Sequence, residues 1–186
     1  MDDRQGHQAI RRLRINLNEL DVAFDSTGPE MWWYLDLETG DVPLVTSESR
    51  SAMQQIVEEF EPDDDEASFR AALEQSDLPA WRREMALEAY LIEAGFGRRY
   101  LAVPEADTRA DYRDMEDFIE SVADEQLRQQ LERAIDGPGA FRRFRNEISE
   151  LDDERTRWFA FRDARRRERI LRWLADEGIQ PILEEC

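Results

Sequence analysis

The apolar residues of this chain recur mostly at intervals of three and four, the period of an α-helix with one buried face. Prolines, glycines and acidic clusters separate the segments that have this period, so we predict short helices joined by turns. Ser47 or Ser49 is the expected N-cap of the second helix, and Asp124 that of the sixth. The predicted helices cover residues 17–24, the segment from the Ser47 or Ser49 cap to Phe60, two pieces of 67–97 broken near Pro79, 111–122, 124–135, 140–148 and 152–177.

One early segment alternates as a β-strand does. Trp33, Leu35 and Leu37 alternate with polar or amphipathic residues, and Gly40 in the following turn would supply a positive φ, which predicts a β-hairpin. Residues 100–103 predict one further short strand, ended by a proline. The expected fold class is α+β and mostly α-helical, a helical domain with one N-terminal β-hairpin and one or two short extra strands.

A length of 186 residues suits a single domain spanning residues 1–186. Within it we interpret residues 67–97 as a candidate helical insertion and residues 139–186 as a C-terminal helical pair. No apolar run reaches the length of a membrane span, and the N-terminus lacks the order of a signal peptide. We therefore expect a cytoplasmic protein without a membrane partner.

Few residues are suited to catalysis. Cys186 and His7 are the single cysteine and histidine, so we expect no disulfide, metal or cofactor. The chain has no phosphate-binding loop and no nucleophile elbow. Asp36 and Glu38 would share one face of a strand, as acid–base or metal chemistry requires, but such pairs arise by chance among 44 carboxylates. We expect a protein that is not an enzyme.

Basic residues are concentrated near the C-terminus. All 25 are arginines, against a net charge of −19, yet residues 139–172 carry 11 Arg and only 7 Asp or Glu, a net +4. In the GAFRRF stretch, Phe141 and Phe144 are predicted to point inward with Ile148. In the last helix, wound at 100° per residue, one side carries Phe159, Ile170, Leu171 and Leu174. The opposite side is an arginine sector formed by Arg162, Arg165, Arg166, Arg169 and Arg172. The candidate interaction surface comprises Arg142, Arg143, Arg145, Trp158, Arg162, Arg165, Arg166, Arg169, Arg172 and Trp173.

Two partners suit these arginines. They could pair with carboxylates of this chain or of another protein, with tryptophan faces supporting the guanidinium planes. They could instead bind phosphates and stack bases, as in single-strand nucleic-acid binders. The surrounding carboxylates repel phosphate within about 10 Å at moderate salt, which favours the first interpretation.

Three motifs resemble a known family. They are the hairpin YLDLETGDV, the GAFRRF element after a helix ending in AIDGPG, and the run RWFAFRDARRRERILRWLADEGI. In this order they resemble the bacterial Uncharacterised Protein Family 0158. The resemblance implies a small soluble bacterial protein without an assigned reaction, and no catalytic residue comes with it.

The leading hypothesis is a non-enzymatic protein-binding or regulatory module. Its acidic surface or its arginine-rich last helix would bind another macromolecule, which we expect to be a protein. The alternative is a nucleic-acid-binding protein that uses the C-terminal arginine-rich helix. A carboxylate-based hydrolase ranks below both.

Overall fold

A computed structural model of the chain describes residues 10–26 and 28–182. The backbone divides into two compact units. Unit 1 takes in the residues before Ala106 and the segment from Leu174 onward, and unit 2 is Ala106–Trp173. His7 and Cys186 lie outside the described residues. The interpretation of the whole chain as one domain stays a prediction.

The described residues of unit 1 form two small sheets. One is antiparallel with strand order β3-β2-β4, and the other pairs β1 and β5 in parallel. The predicted hairpin is β2–β3, and the predicted strand near residue 100 is β4, so both are confirmed. The β1–β5 pair was not predicted. The strands are β1 (Arg11–Arg14), β2 (Met31–Asp36), β3 (Leu44–Thr46), β4 (Tyr100–Ala102) and β5 (Ile179–Ile182).

The turn after β2 requires glycine, as the sequence predicts. Gly40 has φ +85°, and a Cβ there would lie 1.8 Å from the carbonyl oxygen of Arg14. Its amide donates to the carbonyl of Asp36 at 2.8 Å, which closes the turn. A side chain at this position would be excluded both by backbone conformation and by the close approach of β1.

Four helices complete unit 1 among the described residues. Thr46 is the N-cap of the second, not Ser47 or Ser49, because its hydroxyl accepts from the amide of Ser49 while Ser49 Oγ accepts from the amide of Thr46. This reciprocal capping box makes Ser49 a helical residue. The helices are α1 (Leu17–Asp25), α2 (Ser47–Phe60), α3 (Glu66–Gln75) and α4 (Ala80–Gly95).

The core of unit 1 lies between the hairpin and helices α2, α3 and α4. Phe69 of α3 is fully buried and stacks on Tyr90 of α4, with ring centroids 4.1 Å apart. Ile56 of α2 and Ala86 of α4 are likewise fully buried. Residues 67–97 therefore contribute α3 and α4 to this core.

Unit 2 is helical throughout its described elements. Asp107 caps its first helix by accepting from the amides of Arg109 and Ala110, so that helix begins three residues before the predicted start. Asp124 is the N-cap of the next helix, as predicted. The helices are α5 (Thr108–Glu120), α6 (Glu125–Ile135), α7 (Ala140–Ser149) and α8 (Asp152–Asp176), the last continuing into unit 1.

An aromatic cluster forms the core of unit 2. Phe144 is 2 % exposed and meets Trp158 at 4.9 Å and Phe118 at 6.3 Å between ring centroids. The prediction that Phe141 points inward is wrong, because Ala140, Phe144 and Ile148 form the buried row at every fourth position. Phe141 is 42 % exposed and lies at the edge of this core, against Tyr112. The mostly α-helical α+β fold class is confirmed.

Candidate interaction surfaces

Two arginines of α8 bind a row of aspartates on α5. Arg169 contacts Asp114 at 2.6 Å and Asp111 at 3.2 Å, and Arg165 binds Asp117 and lies 3.7 Å from Asp114. The three aspartates are spaced by three residues, so they share a face of α5, as Arg165 and Arg169 share a face of α8. Asp114 is 5 % exposed, and these guanidinium groups compensate its buried negative charge.

Arg143 of the GAFRRF stretch caps a neighbouring helix. Its guanidinium donates to the carbonyl of Ala134 at 2.9 Å and of Gly137 at 3.3 Å, and also to the carbonyls of Asp136 and Pro138. These oxygens lie at and just beyond the C-terminal end of α6, where the helix leaves carbonyls without partners. Arg143 therefore stabilises the turn between α6 and α7.

Two members of the candidate surface are buried. Trp158 is 9 % exposed and belongs to the aromatic core, and Arg166 is 5 % exposed. With Ile170 and Leu174 they share the buried face of α8, at successive intervals of eight, four and four residues, so this face is rotated from the predicted one. Accordingly, Phe159 and Leu171, predicted on the apolar side, are 44 % and 37 % exposed.

The remaining members lie at the surface or at its edge. Arg142, Arg145 and Arg172 are exposed, and Trp173 is half-buried. Arg162 is half-buried, 3.5 Å from its neighbour Asp163. Arg142 and Arg145 have no ion-pair partner within the described part of the chain. The ten predicted residues thus do not form one surface, since several serve the packing of unit 2 itself.

An acidic cleft in unit 1 was not predicted. It has a volume of about 470 Å³ and lies between α1, the hairpin and α4. Leu87, Leu91 and Pro43 are half-buried and give it apolar walls. Among the described residues no basic side chain lines it, and five carboxylates do, namely Glu19, Asp36, Asp41, Glu84 and Glu88.

One of these carboxylates is neutralised within the protein. Asp36 is 3 % exposed and accepts from Arg99 Nε at 3.0 Å and from a terminal guanidinium nitrogen at 2.7 Å. Burial tends to raise the pKa of Asp36, but the hydrogen bonds from Arg99 and from the amides of Glu38 and Thr39 hold it below its ordinary value. Glu38 also pairs with Arg99, at 3.1 Å. Asp36 and Glu38, the two carboxylates considered above for acid–base chemistry, therefore both bind Arg99.

The other carboxylates of the cleft have no ion-pair partner among the described residues. Asp41 accepts from the hydroxyl of Thr39 at 2.8 Å, and Glu19 from the side-chain amide of Asn16 at 2.9 Å. Glu84 and Glu88 are exposed on α4, one turn apart. Partial desolvation raises the pKa of Glu88 above its ordinary value of 4.5, as expected for a carboxyl against apolar walls.

Comparison with known proteins decides the family. The model of the uncharacterised protein family UPF0158 matches residues 77–186, more than half of the chain. The chain belongs to UPF0158. A UPF0158 protein of Pseudomonas aeruginosa, PA5073, is 24 % identical over 176 residues, which cover 95 % of this chain and 91 % of that protein. No solved structure gives a significant match.

The UPF0158 match begins at residue 77, inside the segment interpreted as a candidate insertion, and includes α4 with Glu84 and Glu88. None of the helices between residues 10 and 182 that the structure describes has the length and apolar character of a membrane span. Across residues 10–26 and 28–182, no group of three or more His, Cys, Asp or Glu side chains is arranged to hold a metal ion.

The Asp36–Arg99 pair gives a pH-dependent prediction. Asp36→Asn should lower the free energy of unfolding near neutral pH by about 2 kcal/mol, the contribution of hydrogen bonds to a charged group. Because the pKa of Asp36 is lowered on folding, this difference should be constant above its ordinary pKa of 3.8 and disappear as pH falls through the lowered value. Urea unfolding of both proteins at a series of pH values measures it. A difference that already declines near neutral pH would contradict the assignment.

Proposed function

We propose that this UPF0158 chain is a non-enzymatic protein-binding module that docks a basic segment of another protein in the acidic cleft. The observation that carries the proposal is the lining of that cleft, in which four carboxylates without ion-pair partners among the described residues surround apolar walls. They are Glu19, Asp41, Glu84 and Glu88. Isolated surface carboxylates are ordinary, but carboxylates grouped around an apolar cleft offer complementary contacts to one kind of ligand.

That ligand is a segment with arginine or lysine next to apolar residues. Long basic side chains place their methylene stems on apolar surface while their charged ends reach carboxylates, and Leu87 and Leu91 provide such surface beside Glu84 and Glu88. The net charge of −19 would speed the encounter with a basic partner through long-range attraction.

The nucleic-acid alternative has less support. Arg165 and Arg169 bind aspartates of α5, and Arg143 caps α6, so these side chains are committed within unit 2. Phosphate binding would then rest on Arg142, Arg145 and a few others, within a chain whose carboxylates repel phosphate. We therefore rank protein binding above nucleic-acid binding.

A peptide titration tests the proposal. A fluorescein-labelled synthetic peptide in which lysine alternates with leucine should bind the protein at low salt, and Glu84→Gln with Glu88→Gln should weaken binding roughly tenfold, the effect of two solvent-exposed ion pairs. The control is Glu58→Gln with Glu59→Gln, which makes the same change in net charge on the exposed side of α2, away from the cleft. Fluorescence anisotropy gives the dissociation constants.

The comparison between the two double variants decides the outcome. Equal weakening by both would show that the peptide responds to net charge alone, and the cleft would be the wrong site. Binding through the cleft should also weaken as acidification protonates Glu88, and this loss should begin above pH 4.5 because the pKa of Glu88 is raised.

A further inference from the structure

Unit 1 has a second cleft that the proposed function leaves unused. It has a volume of about 430 Å³ and lies between α2, α4 and the hairpin, separate from the acidic cleft except for the shared Ile92. The described residues that line it are one arginine, Arg50, two further polar residues, Gln54 and Glu93, and aromatic and apolar side chains, principally Tyr34, Met53 and Phe96.

Arg50 is held in place by an aromatic ring and a hydroxyl group. Its guanidinium carbon lies 3.7 Å from the centroid of the Trp32 ring, and one terminal nitrogen donates to the hydroxyl of Tyr34 at 3.1 Å. Arg50 has no ion-pair partner in the part of the chain that the structure describes. Stacking on Trp32 fixes the guanidinium plane, so its remaining edge donors are preorganised for a planar anion.

The opposite wall of this cleft exposes an aromatic ring. Phe96 is 58 % exposed and meets buried Tyr34 edge-on, with ring centroids 6.2 Å apart at 90°. Met53, Ala89 and Ile92 are buried below it. A cleft with an apolar floor, an exposed ring and one oriented charged donor has the composition of a small-molecule site.

We propose that this cleft binds a small organic monocarboxylate with an aromatic or apolar body, its carboxylate on Arg50 and its body against Phe96 and Met53. A monoanion fits better than a phosphate, because a protein of net charge −19 repels a dianion more strongly. Glu93 also lines the cleft, but it is exposed to water, whereas Arg50 is half-buried, so the arginine determines the sign of the ligand.

Three probes that share one phenylpropyl carbon skeleton and differ in charge test the sign of the ligand's charge on the unchanged protein. They are 3-phenylpropionate, neutral 3-phenylpropan-1-ol and cationic 3-phenylpropylamine, each titrated while amide chemical shifts are recorded by NMR. We expect 3-phenylpropionate to bind most tightly and to shift the amides of Gln54 and Phe96. Tightest binding of the amine, equal binding of the alcohol, or shifts confined to other residues would overturn the proposal.

Variants then identify the residue that recognises the carboxylate. Arg50→Gln should weaken 3-phenylpropionate roughly tenfold or more, the effect of removing a charged hydrogen-bond partner, while changing the affinity for the alcohol little. Arg70→Gln is the control, since it makes the same charge change in unit 1 at an exposed arginine paired with Glu66. Unchanged 3-phenylpropionate affinity in Arg50→Gln would overturn the proposal. If Arg50→Gln folds poorly, the comparison of the three probes on the unchanged protein still tests the proposal.

Discussion

Phe144→Ala should lower the free energy of unfolding by about 3–5 kcal/mol, the range for removing a buried phenylalanine. Phe144 is 2 % exposed, and its ring meets both Phe118 and Trp158, so truncation leaves a cavity among large rigid rings that cannot easily close it. A loss of this size is much of the stability of a small domain. Urea unfolding followed by circular dichroism measures it.

The neighbouring phenylalanine supplies the control. Phe141→Ala removes the same atoms from the same helix, but Phe141 is 42 % exposed and contacts Tyr112 at the edge of the core. Its loss should be about 1 kcal/mol. Equal effects of the two substitutions would show that the buried row of α7 does not run through Ala140, Phe144 and Ile148.

The double variant Arg165→Gln with Arg169→Gln should destabilise the protein by about 3 kcal/mol, the lower part of the range for breaking a buried ion pair. Both changes leave Asp114, which is 5 % exposed, without the guanidinium groups at 2.6 Å and 3.7 Å that compensate its charge. We choose the lower figure because Arg165 is 37 % exposed and water screens part of its contribution. Thermal and urea unfolding measure the change.

Arg142→Gln with Arg145→Gln is the matched control for that variant. It removes the same charge from the same basic segment, at exposed arginines without ion-pair partners among the described residues. It should leave stability within about 0.5 kcal/mol of the unchanged protein. A control as destabilised as Arg165→Gln with Arg169→Gln would show that net charge, and not the aspartate row of α5, sets the effect.

Local pattern predicted most elements of the fold. The hairpin followed from alternation and Gly40, and the helices from their three- and four-residue spacing. The β1–β5 pair could not be predicted, since its four-residue strands come from opposite ends of the chain and carry no alternation of their own. The prediction that Phe141 points inward was wrong because the buried row of α7 begins at Ala140. Ala140 is small, so the apolar pattern of the sequence favoured Phe141 over it.

The arginine stripe shows a second limit. The expectation that the arginines pair with carboxylates agrees with the ion pairs between α5 and α8. The helical periodicity of α8 alone, however, does not identify Asp111, Asp114 and Asp117 as the partners. The same periodicity placed Trp158 and Arg166 in the arginine sector, although both are buried. Arg166 was assigned there because a hydropathy pattern gives arginine no place on a buried face, and Trp158 because its angle falls within that sector.

The acidic cleft was missed because separate segments assemble it. Glu19 comes from α1, Asp41 from the hairpin turn, and Glu84 and Glu88 from α4. One signal was present in the sequence, since Glu84 and Glu88 are four residues apart and so are Leu87 and Leu91, which places the two pairs side by side on a helix. This spacing predicts a ridge of acidic and apolar side chains on α4. The opposite wall of the cleft could be identified only from the tertiary structure, because it comes from α1 and the hairpin.

The central proposal is that Arg165 and Arg169 of α8 stabilise unit 2 and do not bind phosphate, with the acidic cleft as the proposed binding site. The most direct measurement is the fluorescence anisotropy of a labelled single-stranded DNA titrated with the protein at near-physiological salt. We predict no binding by the unchanged protein. The claim would be contradicted by binding that weakens steeply with salt and falls further in Arg165→Gln with Arg169→Gln while the melting temperature stays unchanged.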